Sequence, residues 1–191
     1  MGKNRRRTFC VEDTFHGKTI EVDSQEEVEF TKWICRAVEL GIIQNFTYQP
    51  KSFVLSDAQH YTDMNGKTRF LFREHVYTAD FLIEFDAVKF SDLAKEFKKY
   101  DGVKSNPQSG KYLYYLDVKG GFQKDSGRAF SMNQKWMYEK YHIYVHKVVP
   151  KEFFKKFGII EEFKFTEKTK KPSKKYLGYP MVEEVFCKKE G

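Results

Sequence analysis

The chain has 191 residues, of which 40% are apolar and 17% aromatic, enough for one substantial core and so for one domain with at most a small appendage. Its formal charge of +7 favours an anionic partner. No stretch approaches the about 18 apolar residues of a membrane span, and the start from Met1 to Arg7 lacks a signal-peptide core, so a soluble cytoplasmic protein with no membrane partner is expected.

The three cysteines, Cys10, Cys35 and Cys187, are odd in number, widely spaced and free of any Cys-x-x-Cys pair, which points to neither a disulfide framework nor a structural zinc site. No organic cofactor is expected either. The basic arm from Lys3 to Arg7 precedes a strand or hairpin over 8–22, with His16, Gly17 and Lys18 as its turn. Ser24 reads as an N-cap with Glu27 as its capping-box partner, and apolar residues recur from Val28 through Ile34, Cys35, Val38 and Leu40. A helix over 25–40 follows, closed by Gly41. Residues 43–55 and 69–85 read as antiparallel strands parted by a polar turn at 63–67. The segment 86–110 reads as an insertion, with a short helix at 92–100 and a loop at 101–110. A strong strand at 111–120, a helix at 132–141 and a strand at 143–149 complete the pattern. The expected organisation is an arm and strand over 1–19, a core over 20–150 and a lysine-rich extension over 151–191, loose at 164–175.

The residues that carry chemistry lie in three of these elements. Alternation along 111–120 puts Tyr112, Tyr114, Leu116 and Val118 on one face of the strand, and Leu113, Tyr115, Asp117 and Lys119 on the other. An acid and an amine projecting side by side at a strand end are what metal-assisted phosphodiester hydrolysis uses: the acid holds a cation, and the ammonium orients water and offsets charge on the phosphorane. The same pair would also serve as a surface ion pair. Asp80 interrupts a β-prone run, which is costly unless something binds the carboxylate. Coordination beside Asp117 would satisfy it, with Mg²⁺ completed by a backbone carbonyl such as that of Val118 and by waters; a turn cap or an ion pair with a nearby Arg would satisfy it too. Glu27 falls near the middle of the apolar arc of its helix, while Glu29 points about 160° away. An inward Glu27 fits a metal cluster and fits equally the capping of Ser24.

The inward helical Glu27, the step Ala79-Asp80-Phe81 and the run Asp117-Val118-Lys119-Gly120 together resemble the PD-(D/E)xK nuclease signature, with Ala79 in place of its proline. The helix opening Ser24-Gln25-Glu26-Glu27, followed by Ile43-Gln44-Asn45-Phe46-Thr47-Tyr48-Gln49-Pro50, resembles the phage endonuclease I type of Holliday-junction resolvase and related phage nucleases, and the likeness spans about residues 20 to 148. It implies an α/β, restriction-endonuclease-like fold with a central mixed β-sheet flanked by helices. It also implies Mg²⁺ or Mn²⁺ held by Glu27, Asp80, Asp117 and Val118, catalysis by Glu27, Asp80, Asp117 and Lys119, cutting of branched DNA, and a homodimer. In a phage-encoded protein the place of action would be the host cytoplasm. Two departures stand out: the third carboxylate is Asp117 where Glu is usual, and the connection from Asp80 to Asp117 is longer than the family's tight hairpin. A nuclease acting on linear or single-stranded DNA, a transposase-like end-cleaving subunit and a non-catalytic DNA-binding protein that keeps the fold are the alternatives.

Lys124 and Arg128, with Gln134 and Lys135 on the following helix, would face the phosphate backbone in this reading. His142 and His146 have the spacing of a helical zinc pair but sit in a strand-like run, where they would lie about 13 Å apart. Arg5, Arg6 and Arg7 are the remaining candidates for phosphate contact. Removing them is expected to weaken DNA binding and to flatten its dependence on salt, because each neutralised phosphate releases counterions; a binding isotherm titrated with salt reads both.

Overall fold

The computed structural model describes residues 8–97, 103–106, 110–120, 124–166 and 169–187, and of 103–106 and 124–127 only the backbone. Arg5, Arg6 and Arg7 lie outside the described residues. Strands β1 (Phe9–Asp13) and β2 (Lys18–Val22) form an antiparallel hairpin whose turn needs the positive φ of Gly17. Helix α1 (Gln25–Glu39) begins where Ser24 Oγ accepts the Glu27 amide proton, and ends at Leu40, ahead of Gly41 with φ +68°.

The expected long strands are broken into shorter ones. Gln49, held at φ +47° before Pro50, ends β3 (Asn45–Tyr48) and starts a separate ribbon. In that ribbon β4 (Ser52–Ser56) pairs with β7 (His75–Thr78), and β5 (Gln59–Thr62) pairs with β6 (Thr68–Phe72), both antiparallel. The chain then returns to the main sheet as β8 (Phe81–Asp86).

The main sheet has the order β11, β10, β8, β3. Strand β10 (Lys111–Val118) is antiparallel to β8 and parallel to β11 (Val145–Val148), while β9 (Val103–Asn106), which lies where a loop was expected, pairs with the first residues of β10. The sheet is therefore mixed, and with its helices the chain is of mixed α/β class, as expected. Helix α2 (Ser91–Phe97) buries Leu93, Ala94 and Phe97, so the expected insertion contributes to the core. Helix α3 (Lys124–Tyr141) starts well before the predicted position 132, and His142 at φ +55° ends it.

One face of the sheet carries the larger core. Phe81, Ile83 and Phe85 of β8 and Tyr114, Leu116 and Val118 of β10 pack there with Phe30, Trp33 and Ile34 of α1. Helix α4 (Pro150–Phe157), a helix that the lysine-rich reading of 151–191 overlooked, adds Phe153, Phe154 and Phe157. Its closing Gly158 has φ +84°, and a Cβ there would lie 2.5 Å from the Met181 carbonyl carbon and the Val182 nitrogen; its carbonyl accepts the Trp33 indole proton at 3.0 Å. Within the stretch expected to be loose, Lys164 pairs with Glu161; at its end Lys175 and then Tyr176 both bond Glu29, and Tyr176 is buried. The C-terminal residues are thus part of the main core. On the opposite face, Phe53, Leu55, Tyr77 and Ala79 pack with Phe130 and Met137 of α3 and Val145 of β11.

Phe154 is fully buried against Trp33, Phe163 and Tyr176. Phe154→Ala is expected to cost about 3–5 kcal/mol, read as a lowered urea midpoint at unchanged slope. A loss below 1 kcal/mol, the range of surface changes, would detach the C-terminal segment from the core.

Candidate active site

The site begins with a register. Leu116 lies opposite Phe81 and Tyr115 opposite Leu82, so continuing the antiparallel ladder by one residue sets Asp117 opposite Asp80. Both acids point away from the larger core, because Phe81 and Leu116 point into it. The Val118 amide donates to Asp80 Oδ2 at 2.7 Å, while the Lys119 amide donates to the Val148 carbonyl at 2.8 Å. Successive residues of a strand direct their backbone groups to alternate sides, so the Val118 carbonyl faces the side of Asp80.

Asp117 is buried, with one carboxylate oxygen accepting the Tyr77 hydroxyl at 2.5 Å and the other ion-paired to Lys119. The Lys119 ammonium also stands 3.8 Å from Asp80 Oδ2. Burial, reinforced by the negative charge of Asp117, pushes the Asp80 carboxyl up to about 8, against the pull of Lys119 and the Val118 amide. Burial alone would lower the Lys119 pKa, but Asp80, Asp117 and Glu27 outweigh it and hold the amine above its ordinary value, so it remains an ammonium. Burial and the neighbouring Asp117 raise Tyr77, which keeps its proton to donate.

Glu27 is brought to the same corner but engaged otherwise. Its oxygens accept from the Ser24 hydroxyl at 2.7 Å and the Tyr48 hydroxyl at 2.9 Å, with the Asp23 amide at 3.3 Å. Its charge is felt by both Asp80 and Lys119. The capping role and the place beside the acids therefore coexist in one side chain. Glu26 also comes close to the residues after β10: a Cβ on Gly120 would come 3.2 Å from Glu26 Oε1.

Among the described residues, no group of three or more His, Cys, Asp or Glu side chains converges in metal-ligating geometry. Asp80 and Asp117 instead bracket the Lys119 ammonium, and Glu27 bonds Ser24 and Tyr48. The donor set nonetheless suits a hard divalent cation: the buried Asp117 and the partly buried Asp80 opposite one another, Asp80 pushed toward its neutral form by desolvation and by Asp117, beside a backbone carbonyl.

Of the proposed phosphate contacts, Arg128 and Lys135 are exposed on α3, and Lys124 opens that helix. Gln134 is not available in the expected way, since its amide donates to the Val145 carbonyl at 2.6 Å and fastens α3 to β11. His142 is exposed at the end of α3, whereas His146 is buried in β11 among the rings of Phe97, Tyr114 and Tyr144. Sequence reasoning passed over Tyr48 and Tyr77. Tyr77 lies three residues before Asp80, but a tyrosine in a strand gives no local sign that its hydroxyl meets an acid 40 residues on. No known protein family, curated protein or solved structure matches the chain.

The raised Asp80 pKa has a definite sign in stability. The folded state binds this proton up to about pH 8, the unfolded chain only to about 3.9, so metal-free protein is expected to lose stability as pH rises through that window. Urea midpoints in chelator at pH 5 and pH 8 should fall for the wild type, with a distinctly smaller fall for Asp80→Asn. An equal fall in both would place the linkage elsewhere.

Proposed function

We propose that the chain is a metal-dependent endodeoxyribonuclease of the PD-(D/E)xK type, acting on branched DNA in the manner of a phage resolvase. The observation that carries the reading is the meeting of Asp80, Asp117 and Lys119 at one end of the central mixed sheet, two acids across an antiparallel register with the ammonium between them. The mixed sheet with α1 and α4 on one face and α3 on the other supports a restriction-endonuclease-like architecture. The net positive charge supports a nucleic-acid partner.

Asp80, Asp117 and the Val118 carbonyl would hold Mg²⁺ or Mn²⁺, with Glu27 within electrostatic reach to tune the site. Bound there, the cation would supply Lewis-acid polarisation of the phosphate and a lowered pKa for the attacking water. The chain's own residues do the rest. Lys119, held as an ammonium, is no general base; it orients the water through its protons and offsets the charge that develops on the phosphate oxygens. With a cation held on the two acids, the Lys119 ammonium would no longer be needed to balance Asp117 and could turn to the substrate. Tyr77 fixes one oxygen of Asp117, leaving the other to the reaction. Arg128 and Lys135, exposed on α3, would contact phosphates. Resolution of a junction requires two cuts and so two centres, which calls for a homodimer.

Cleavage of a four-way junction is to be compared with cleavage of matched linear duplex and single strand, in Mg²⁺, in Mn²⁺ and in chelator. The wild type is expected to cut with metal only and to favour the junction. Asp117→Asn and Lys119→Ala are each expected to lower the rate at least ~10²-fold, the scale of losing one preorganised charge-stabilising group, while keeping DNA affinity. Metal-dependent cutting without junction preference would leave the nuclease and remove the resolvase; binding without cutting in either metal would favour a non-catalytic DNA-binding protein.

A further inference from the structure

We propose that Trp136, braced by His75, is a stacking platform for an unpaired nucleotide base beside the acidic site. The inference rests on the nucleic-acid partner of the nuclease reading and names the part of that partner which the protein grips. The protein has two tryptophans. Trp33 is fully buried in the larger core, whereas Trp136 is exposed on α3, as is Met132 one turn before it. Tryptophan offers a partner the largest aromatic face of any side chain, and the surroundings of this one fix how that face is presented.

His75 on β7 stands against the Trp136 ring with centroids 5.3 Å apart and planes at 75°, and its Nε2 bonds Asn133 Oδ1 at 2.8 Å. A T-shaped contact of this kind covers at most one face of an indole and leaves the other for a flat partner. The same strand ties the ring to the acids. His75 and Tyr77 are two residues apart on β7, so they point to the same side and stand about 7 Å apart along the strand. On that side the Tyr77 hydroxyl bonds Asp117, and Tyr77 packs with Phe130 and Met137 of α3. One face of one strand therefore carries both the contact that orients Asp117 and the contact that braces Trp136.

Charge selects the occupant. Among the described side chains of α3 the bases Arg128, Lys135 and Lys140 outnumber the one acid, Glu139, while Arg73 and Glu74 beside His75 cancel. Arg128, Met132, Trp136 and Lys140 follow one another at four-residue spacing along one side of the helix. Lys140 is engaged with the Val54 carbonyl, and Lys135 is exposed next to the indole. Cations around an exposed aromatic ring suit a nucleic-acid strand, whose phosphates meet the cations while a base meets the ring. The core of an interface with another protein is depleted of lysine. Within a duplex each base is already stacked on both faces, so only an unpaired base, at a branch point, gap or end, offers the ring a free π-face.

The test is tryptophan emission of the full chain in chelator, titrated with an oligothymidylate of about 12 nucleotides, within the span of single-strand sites, and with a blunt duplex of the same length. Wild type, Trp136→Phe and Trp136→Ala are compared, with affinity read from the anisotropy of a dye-labelled strand. Trp33, stacked against Phe30 and Phe154, is out of reach of the bases, and its emission reports that each variant is folded. The single strand is expected to quench the wild type, the duplex to leave it bright, and both variants to lose the quenching. Trp136→Ala is expected to weaken single-strand binding ~10-fold with duplex binding unchanged, and Trp136→Phe, which keeps a stacking ring, to retain most of the affinity. Equal quenching by the duplex, no quenching, or unchanged single-strand affinity in Trp136→Ala would overturn the proposal. Emission that shifts with protein concentration and ignores DNA would give the ring to another protein chain and overturn it as well. Metal-dependent cutting with a Trp136 that no strand quenches would remove this inference and keep the nuclease. Single-strand quenching in a protein that cuts nothing would remove the nuclease and leave the platform.

Discussion

The pairing of β8 with β10 is the constraint on which the rest depends. Phe81, Ile83 and Phe85 on one strand and Tyr114, Leu116 and Val118 on the other fill a single core with α1 and α4. A slip of one residue would turn every one of these side chains to the other face, so the core admits one register. That register in turn sets Asp80 opposite Asp117 on the face the core does not use. The acids are placed by hydrophobic packing that neither of them joins.

Such a pair is a poor device for stability. Two carboxylates taken out of water beside each other disfavour the charged form of at least one, and here Asp80 is driven well above the usual carboxylate range. Lys119 compensates in part, with its own charge maintained by three acids. Apolar residues would satisfy the same positions at lower cost. Local conflict of this kind, in a sheet otherwise consistent from residue to residue, is characteristic of a site kept for chemistry. Tyr77 and Tyr48 show the same economy at the periphery, each holding one acid in a fixed orientation through its hydroxyl.

The periphery divides by charge as well as by position. The C-terminal segment carries many lysines, yet its helix α4 turns Phe153, Phe154 and Phe157 inward and spends Lys156 on Glu96, and further on Lys175 bonds Glu29. The ribbon from β4 to β7 leaves the sheet after Tyr48, carries the exposed β5–β6 hairpin, and returns through Tyr77 and Asp80 to the sheet at Phe81. The C-terminal lysines and the exposed apolar hairpin therefore lie in different segments of the chain, whereas on α3 the exposed Arg128 and Lys135 stand beside Met132 and Trp136.

The sequence by itself determined what short-range physics controls. The capping box of Ser24 and Glu27, the 3.6-residue period of α1, the turn at Gly17 and the alternation of β10 were all legible, because each is set by neighbours a few residues away. Asp80, Asp117 and Lys119 were legible as candidates because a charged residue in a β-prone run is itself a local anomaly. The breaks at Gln49-Pro50 and after Phe72 were overlooked although polar residues mark them, Gln49 to Ser52 at the first and Arg73 to His75 at the second, because apolar segments resume on either side; α4 was hidden by its lysines although Phe153, Phe154 and Phe157 keep helical spacing. Only the tertiary structure decided that Glu27 also accepts from Tyr48, that Tyr77 holds Asp117, and that Gln134 ties down α3. Those contacts join residues distant in the chain, and their partners are chosen by packing of the whole core, which no window of sequence contains.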